Sequence, residues 1–571
     1  MKNSNLVALK TAYSEFIPTV PWAVYPRPQM RRDSFFCLNG QWDFEVSQSA
    51  ETPTEFSRTI TVPFPPESAL SGINELFSEK SCLYYKRSFS LPEGFVKERV
   101  LLHFGAVDQT FEVYLNSEYI GSHSGGYAPF SFNITDALKN ENTLIVRVVD
   151  ELSKRVFPYG KQTNRRGGMW YTRVSGIWQT VWIESVPKKH ITSLKINTTL
   201  DSAEISVYGV SEGTVTVKTD GGEIKAPLTN GKAAVKIAEP KLWSPESPHL
   251  YDFSVEAEGD RVESYFALRT IEIKEVGGKQ RILLNGEPYF FHALLDQGYF
   301  PDGIFTPAAP EAYKNDILEA KRLGFNTLRK HIKIEPEIFY YYCDKLGMVV
   351  FQDMVNNGRY SFLRDTALPT VAVKRLGDRF LNTNKKAREQ FVLSMTQTVE
   401  LLYNHPSICY WTIFNEGWGQ FCSGEMYAML KEIDSTRIID TASGWFKGGQ
   451  SDVESEHVYF KPFRFKLSAK PSVLSEFGGY SYRPKGHIFN LKSAFGYGFF
   501  KEREPYEAAL LKLYHEQVIP AAKAGLSASV YTQLSDVEDE TNGLLSYDRL
   551  VCKVDGKKMR EMAEELMRSV K

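Results

Sequence analysis

One stretch of the sequence reads Ile408-Cys409-Tyr410-Trp411-Thr412-Ile413-Phe414-Asn415-Glu416-Gly417. Its first seven residues form a short apolar run, which is typical of a strand buried on both faces. The run ends in an amide, a carboxylate and a glycine. In a parallel barrel the carboxyl ends of the strands carry the chemistry, so this stretch predicts Asn415 and Glu416 at the rim of a pocket.

A second stretch repeats this arrangement further along the chain. The apolar run Ser472-Val473-Leu474-Ser475 is followed by Glu476-Phe477-Gly478-Gly479. For a single strand-end glutamate, a solvated strand end is the better explanation. Two of them on strands of one barrel favour catalysis, because a retaining glycosidase needs one carboxyl to protonate the leaving oxygen and another to attack the anomeric carbon.

The segment from residue 275 to 571 alternates between helical and extended patterns. Helices are predicted over residues 310–323, 336–346, 387–403 and 556–571, and strands over residues 325–329, 348–353, 408–414, 437–440, 457–459, 473–476 and 528–531. Such alternation predicts a parallel sheet, and nearly 300 residues with about eight strands fit a (β/α)8 TIM barrel.

The N-terminal half is predicted to be all β. Residues 1–187 contain many short alternating strands punctuated by Gly and Pro, which indicates a jelly roll. Residues 188–274 hold about seven further short strands, which suggests an immunoglobulin-like β-sandwich. The polar, Gly-rich segment 157–169 is long for a hairpin, and it is interpreted either as a solvated loop or as a functional one.

Composition excludes several classes of function. The 571-residue chain has 68 basic and 69 acidic residues, so no net field favours nucleic acid or an anionic membrane. No apolar run reaches transmembrane length, and the first ten residues lack the apolar centre of a signal peptide. The six cysteines show no metal-binding spacing, so reduced thiols and a cytoplasmic location are expected.

The ends of the predicted strands carry polar residues that the barrel would gather on one face. These are Arg329, His331, Asp353, Asn415, Glu416, Trp445, His457, Tyr459, Glu476, Gln533 and Asp536. We expect Glu416 to be the acid/base, its pKa raised by the charge of the second carboxylate. Glu476 is expected to be the nucleophile, kept ionised by donors such as Arg329 or Tyr459.

The other strand-end residues have a substrate-binding and a structural interpretation. Asn415 is expected to donate to the sugar 2-hydroxyl, and Trp445 either stacks on a sugar face or packs in a lid. Arg329 either lies near the sugar or only pairs a barrel carboxylate. His331 is a substrate contact or a loop histidine, and Asp353 is a substrate ligand or a support.

Several motifs resemble glycoside hydrolase family 2, the family of β-galactosidases, β-glucuronidases and β-mannosidases. Segments 38–44 and 175–182 resemble its jelly roll, segments 242–251 and 268–270 its sandwich, and segment 284–288 the approach to its barrel. Asn415-Glu416 and Ser475-Glu476-Phe477-Gly478 resemble its acid/base and nucleophile segments. The resemblance implies retention of configuration with Glu416 and Glu476 in those roles, and Arg329, His331 and Tyr459 near the sugar. Residues 159–166 are the candidate loop that the jelly roll lends to the pocket.

The departures from the family pattern bear on the substrate. The Asn-x-Lys signature of β-glucuronidases is not evident, which argues against glucuronides, although Lys330 or Lys333 offers another route to an acidic sugar. The acidic ligands and extra domains of metal-dependent β-galactosidases are absent from the sequence, so no metal and no cofactor are expected. The third predicted strand ends in Asp353 where the family often has Glu.

The sequence therefore predicts an exo-acting retaining β-glycosidase on an oligosaccharide or glycoside. A β-galactoside is the leading substrate, and a galacturonide, glucuronide or arabinoside is the alternative. A non-catalytic carbohydrate-binding protein and a transglycosylase are the competing functions. Relatives in the family are often oligomers, so a homo-oligomer is among the expected states.

Overall fold

A computed structural model of the protein describes residues 5–367 and 378–570. Its C-terminal part is one sheet of eight parallel strands, β1 to β8. They are Phe291–Asp296, Thr327–Lys330, Val349–Asp353, Ile408–Asn415, Ile438–Ser443, Glu454–Val458, Ser472–Gly478 and Leu526–Thr532. The strand order is β5-β4-β3-β2-β1-β8-β7-β6, and β5 lies beside β6, so the sheet closes on itself. The predicted TIM barrel is confirmed.

Helices surround this sheet. In chain order they are Glu311–Arg322, Glu337–Leu346, Lys385–Leu402, Ser423–Ile433, Arg503–Leu513, Ile519–Ala524 and Gly556–Arg568. The last helix begins at a cap that fits its sequence, because the Asp555 side chain accepts from the backbone N–H groups of Lys557 and Lys558. None of the helices among the described residues has both the length and the apolar character needed to cross a bilayer.

The first barrel strand was not predicted from the sequence. Every residue of β1, Phe291–Asp296, is buried, including His292 and Asp296. His292 is held by the carbonyl of Gly324 and the hydroxyl of Tyr514, and Asp296 by the ammonium of Lys330. These two polar residues interrupt the apolar pattern by which a buried strand is recognised. Their partners lie on other segments, so the local sequence does not show how their polar groups are satisfied.

Two packed sheets form the predicted jelly roll. The larger sheet contains, in spatial order, Arg58–Val62, Gly40–Ser47, Cys82–Phe89, Asn142–Val149, Thr110–Leu115 and Glu118–Ser124. The smaller contains Phe36–Cys37, Val181–Val186, Arg99–Phe104 and Phe130–Asn133. Strand Asn142–Val149 alternates between buried and half-buried residues, and side chains such as Trp42, Phe44 and Phe104 fill the core between the sheets.

Seven strands form the sandwich that follows. One sheet contains Ser193–Thr198, Ser202–Tyr208 and Lys232–Lys236, and the other Gly222–Leu228, Gly213–Thr219, Tyr251–Ala257 and Asp260–Phe266. The predicted immunoglobulin-like architecture is confirmed. A short antiparallel sheet, Ile271–Val276, Lys279–Leu284 and Glu287–Pro288, connects the sandwich to β1 of the barrel.

Candidate active site

The carboxyl ends of the parallel strands meet at one mouth of the barrel and carry the polar side chains expected there. Arg329 lies on β2, Asp353 on β3 and Asn415 on β4, while Glu476 lies on β7. Residues on the loops directly after the strands complete the set, namely His331, Glu416, Trp445 and Tyr459. Hydrogen bonds join most of these groups into one network.

Glu416 occupies the turn that leaves β4. Its φ is +54° and its N–H donates to the carbonyl of Ser443 at 2.9 Å, which fixes the turn against β5. Gly417 follows at φ +71°, where a Cβ would lie 2.0 Å from the ring of Phe446, so only glycine fits. The Glu416 side chain is 17% exposed and therefore reaches the open mouth.

Burial raises the pKa of Glu416 to about 7, while the charges of Lys161 and Arg329 act to lower it and that of Asp365 to raise it. The expectation from the sequence is that the charge of the second carboxylate raises this pKa. Removal of the carboxyl from water is the larger cause. A carboxylic acid with a pKa near the working pH can both donate and accept a proton.

Glu476 is held in a different environment. Its side chain is 7% exposed, and one oxygen, Oε1, accepts from Nη1 of Arg329 at 3.1 Å. The other oxygen, Oε2, accepts from the hydroxyl of Tyr459 at 2.6 Å. A cation and a phenol therefore each bind one oxygen of this carboxylate and fix its orientation.

The two glutamates face each other across a short gap. An oxygen of Glu416, an oxygen of Glu476 and Nδ1 of His457 all lie within 4.8 Å of one another. A separation of about 5 Å between carboxyl groups is the geometry of a retaining glycosidase, whereas an inverting one leaves a wider gap for water. Two carboxylates and an imidazole are also ligand types for a divalent cation, but here hydrogen bonds already join these groups.

His457 lies between the two carboxyl groups. Its Nδ1 is 2.8 Å from Oε1 of Glu416 and 3.4 Å from Oε2 of Glu476, and its Nε2 is 3.1 Å from Oγ of Ser443. Burial lowers the pKa of His457 to about 3, so the ring is neutral at neutral pH. The sequence placed His457 at a strand end without a role.

Arg329 connects four strands at the base of the site. Its Nε donates to Asp353 at 3.0 Å, its Nη2 to Oδ1 of Asn415 at 2.8 Å and its Nη1 to the carbonyl of Ser475 at 2.9 Å, besides Glu476. The guanidinium is 1% exposed, and its charge is compensated by the carboxylates of Asp353 and Glu476.

Asp353 fixes this guanidinium from below. Its second oxygen, Oδ2, lies 2.7 Å from Nδ1 of His331. Burial by itself raises the pKa of Asp353, but the charge of Arg329 and the hydrogen bond from His331 outweigh it and hold the pKa below its usual value. Both carboxylate oxygens are engaged within the protein, which matches the supporting alternative for Asp353.

Asn415 and Trp445 are oriented by backbone and side-chain contacts. Arg329 takes Oδ1 of Asn415, so the amide presents its NH2 group away from the guanidinium. The indole N–H of Trp445 donates to the carbonyls of Glu416 and Asp365, each at 2.9 Å, and its ring lies edge-on to His457. Trp445 therefore clamps the loop that carries Glu416.

Gln533 and Asp536 belong to the loop after β8 and bind within it. Gln533 donates to Asn542 at 2.8 Å, and Asp536 accepts from the ammonium of Lys553 at 2.6 Å. Burial raises the pKa of Asp536 to about 6, with Lys553 opposing. In the described structure both residues order the loop rather than join the network around Glu476.

The jelly-roll segment 157–169 reaches the barrel mouth. The N–H of Tyr159 donates to the carbonyl of Asn356 at 3.0 Å, and its hydroxyl donates to the carbonyl of Gly358 at 2.7 Å. The charge of Lys161 acts on the pKa values of Glu416 and of Glu540. The N-terminal domain thus contributes a cation to the barrel site.

Three residues near the glutamates were not singled out from the sequence. Tyr497 stacks on Tyr459 with ring centroids 3.7 Å apart, and Ser443 contacts His457. Glu540 accepts from the hydroxyl of Tyr171 and from Asn542, and its charge interacts with that of Glu476. Their contacts with Tyr459, His457 and Tyr171 join separate segments of the chain, and no local pattern identifies them.

Sequence comparisons agree across the three parts of the chain. The profile of the glycosyl hydrolases family 2 sugar binding domain matches residues 36–187, and that of the family's TIM barrel domain matches residues 308–552. A third profile, described as glycosyl hydrolases family 2, matches residues 177–269.

Individual relatives are distant. A β-galactosidase of Thermoanaerobacter pseudethanolicus is 25% identical over 444 residues, which cover 71% of this chain and 55% of that protein. The chain spans about half the length of the first curated relatives it matches.

Two solved structures share the fold. A β-D-glucuronidase of Dictyoglomus thermophilum has a TM-score of 0.72 at 19% identity, covering 95% of this chain and 98% of that one. A β-galacturonidase of Eisenbergiella tayi has a TM-score of 0.67, also at 19% identity, with the same coverage of both chains. With the three matching profiles and the common fold, the chain belongs to glycosyl hydrolase family 2.

Proposed function

We propose that the protein is a retaining exo-β-glycosidase in which Glu416 is the acid/base and Glu476 the nucleophile. The observation that supports this most directly is the pair of carboxyl oxygens within 4.8 Å in unlike surroundings. Burial favours the protonated form of Glu416, whereas Arg329 and Tyr459 donate to Glu476. Two carboxyls whose environments differ in this way can divide the acid and nucleophile roles.

The proposed reaction has two displacements. In the first, Glu476 attacks the anomeric carbon while Glu416 gives its proton to the leaving oxygen, so the glycosidic bond breaks and a glycosyl–Glu476 ester forms. In the second, Glu416 takes a proton from water, the water oxygen attacks the same carbon, and Glu476 leaves as a carboxylate. The configuration is retained because the carbon is inverted twice.

The surrounding groups support these steps. Asp353 and His331 hold Arg329, which donates to Glu476 and orients Asn415. The free NH2 group of Asn415 is suited to donate to the sugar 2-hydroxyl, a contact that strengthens as charge develops on the ring. Arg329 therefore acts through two neighbours at once.

We propose a neutral sugar, with β-galactoside as the leading candidate. Besides burial, three carboxyl groups, those of Glu540, Glu416 and Glu476, raise the pKa of Tyr497 at the mouth. Lys330 is buried against Asp296 and Glu335, and Lys333 against backbone carbonyls and Glu335, so neither ammonium is available to a substrate carboxylate. A site rich in carboxylates disfavours a substrate that brings another.

An acidic sugar is the second candidate, and Lys161 is the observation that favours it. Lys161 is half-buried, and among the described residues no carboxylate forms an ion pair with its ammonium. It acts on Glu416 and Glu540 through space only. A substrate carboxylate held there would gain a charge-assisted hydrogen bond.

The test is hydrolysis of nitrophenyl β-glycosides by the wild type, Glu476→Gln and Glu416→Gln. The panel contains the galactoside, glucoside, mannoside, arabinoside, glucuronide and galacturonide, with and without a chelator. We expect the wild type alone to cleave one neutral glycoside, with retention of configuration. Azide should restore the turnover of Glu416→Gln, with a β-glycosyl azide as the product. Undiminished turnover by Glu476→Gln would contradict the nucleophile assignment.

Other outcomes identify the competing functions. Sugar binding without any bond cleavage, on natural oligosaccharides as well as nitrophenyl glycosides, identifies a carbohydrate-binding protein. Products longer than the donor, seen by mass spectrometry, identify a transglycosylase. Cleavage of the uronides alone identifies the acidic-sugar enzyme.

A further inference from the structure

A chain of three hydroxyl and imidazole groups runs from Glu416 into the barrel wall. We propose that Ser443 and Ser475 are positioning residues that fix His457 as its Nε2–H tautomer, so that Nδ1 accepts the proton carried by Glu416. This inference rests on the proposed role of Glu416 as acid/base, and it concerns which atom holds each proton.

The direction of the chain follows from its inner end. Oγ of Ser475 lies 3.2 Å from the carbonyl oxygen of Glu456, which can only accept, so Ser475 donates its one hydrogen there. Oγ of Ser443 lies 3.0 Å from Oγ of Ser475. Because the Ser475 hydrogen is already used, Ser443 must donate to Ser475.

The number of hydrogens available to the two serines also fixes the tautomer of His457. Its Nε2 lies 3.1 Å from Oγ of Ser443, whose hydrogen is directed at Ser475. Nε2 must therefore be the donor. Burial holds the pKa of His457 at about 3, so the neutral ring carries one hydrogen, and that hydrogen is on Nε2.

The outer end of the chain then determines the state of Glu416. Nδ1 of His457 has only a lone pair, and it lies 2.8 Å from Oε1 of Glu416. Two acceptors do not approach to that distance without a hydrogen between them. The hydrogen belongs to Glu416, which is thereby held as the carboxylic acid that the first displacement requires.

The opposite tautomer would reverse the chemistry. A hydrogen on Nδ1 would be donated to Glu416 and would stabilise its carboxylate, so Glu416 would lose its proton at a lower pH. It would also require Nε2 to accept from Ser443, and Ser475 would then lack the hydrogen bond from Ser443. The two serines therefore select the proton position that suits an acid catalyst.

Other charged groups also lie around Glu416 and His457 at the outer end of this chain of hydrogen bonds. Around Glu416 they are Glu476, Lys161, Arg329 and Asp365, and around His457 they are Glu476, Arg329, His331 and Asp353. None of these is altered by removing the hydroxyl of Ser443, so that substitution isolates the contribution of the chain.

The first test reads the tautomer directly. Ring-nitrogen chemical shifts of isotope-labelled histidine are measured in the full-length wild-type protein at neutral pH, and the His457 signals are assigned by their loss in His457→Gln. We expect a protonated Nε2 and a hydrogen-bonded, unprotonated Nδ1. A protonated Nδ1 overturns the proposal, whether or not any glycoside is cleaved.

The second test follows catalysis through Ser443→Ala. This change frees the ring to adopt the other tautomer, so we expect the alkaline limb of the kcat/KM profile to move to lower pH by about one unit. Ser443→Thr keeps a hydroxyl and should restore the wild-type limb. A lower rate with an unmoved limb would mean a packing role only and would overturn the inference.

Ser529→Ala is the matched control. Ser529 is fully buried on β8, and its hydroxyl has no partner among the described residues, so its removal should leave the limb in place. If no glycoside is hydrolysed at all, the proposed function fails while the tautomer measurement still decides the inference. If hydrolysis proceeds and Nδ1 carries the proton, the function stands and the inference fails.

Discussion

The hydroxyl of Tyr459 donates to Oε2 of Glu476 across 2.6 Å, from a ring that stacks on Tyr497 at a centroid distance of 3.7 Å. Stacking fixes the ring, and Oγ1 of Thr532 lies 2.9 Å from the same hydroxyl. The donor is therefore oriented before substrate arrives. Such preorganised donors stabilise charge without reorganising during the reaction.

Tyr459→Phe should lower kcat/KM by about a hundredfold, because removing one preorganised donor to a reacting oxygen typically has an effect of that size. The measurement is the rate on the best nitrophenyl glycoside together with the burst of nitrophenol. Tyr119→Phe, on the half-exposed jelly-roll surface, is the control and should leave the rate unchanged. A rate within threefold of wild type would contradict the role of Tyr459.

Asp353→Asn should destabilise the barrel, since it leaves the buried guanidinium of Arg329 with one fewer carboxylate. We expect the free energy of unfolding to fall by about 3 kcal/mol at neutral pH. The pKa of Asp353 is lower in the folded protein than its usual value of about 4, so its contribution is complete above that pH and is lost as the pH falls toward the folded value.

Calorimetry of both proteins at neutral pH and below pH ~4 checks this dependence. The gap in stability between wild type and Asp353→Asn should narrow in acid. Asp43→Asn serves as the control, because Asp43 pairs with Lys86 on the exposed surface and such pairs contribute little. A gap of equal size at both pH values would exclude the linkage.

Most of the fold was predictable because its signals are local. Seven of the eight barrel strands overlap strands predicted from the sequence, and the strand Ile408–Asn415 is buried throughout, as its composition requires. The strand Phe291–Asp296 was missed because His292 and Asp296 are satisfied by distant partners. The hydrophobic periodicity of a strand carries no information about hydrogen-bond partners that come from distant segments.

The site was predictable only in part for the same reason. Glu416 and Glu476 follow strands, and this is a sequence signal. The hydrogen bond between His457 and Glu416 joins residues 41 positions apart, and that between Tyr171 and Glu540 joins separate domains. The cause of the pKa shift of Glu416 was also misjudged, because burial depends on what covers the carboxyl and no sequence pattern records it.

Glu540→Gln tests whether the sugar is neutral. The Glu540 carboxylate is held by Tyr171 and Asn542 near Glu476, and we propose that it accepts from a sugar hydroxyl. The amide keeps the shape but loses the charge, so KM for the best neutral glycoside should rise about tenfold. Cleavage of a uronide should improve, because one repelling carboxylate is gone.

Glu538→Gln is the matched control for that experiment. Glu538 lies two residues earlier in the same loop and is equally buried, but its Oε1 accepts from the N–H of Thr172. We expect its replacement to alter stability more than KM. An unchanged KM in Glu540→Gln, with uronides still not cleaved, would remove Glu540 from the sugar site.

Lys161→Met should shift the pH profile in the direction opposite to Ser443→Ala. Next to the burial that raises the pKa of Glu416, the charge of Lys161 is the largest influence, and it lowers that pKa. Without this charge Glu416 keeps its proton to higher pH, so the alkaline limb of the kcat/KM profile should move to higher pH by about half a unit. The control is Lys154→Met, because the ammonium of Lys154 pairs with Glu151 at the surface.

Opposite shifts in Lys161→Met and Ser443→Ala would establish that two independent features set the pKa of Glu416, a cation from the jelly roll and a histidine tautomer fixed within the barrel. A shift of Lys161→Met to lower pH would contradict the placement of Lys161 beside the acid.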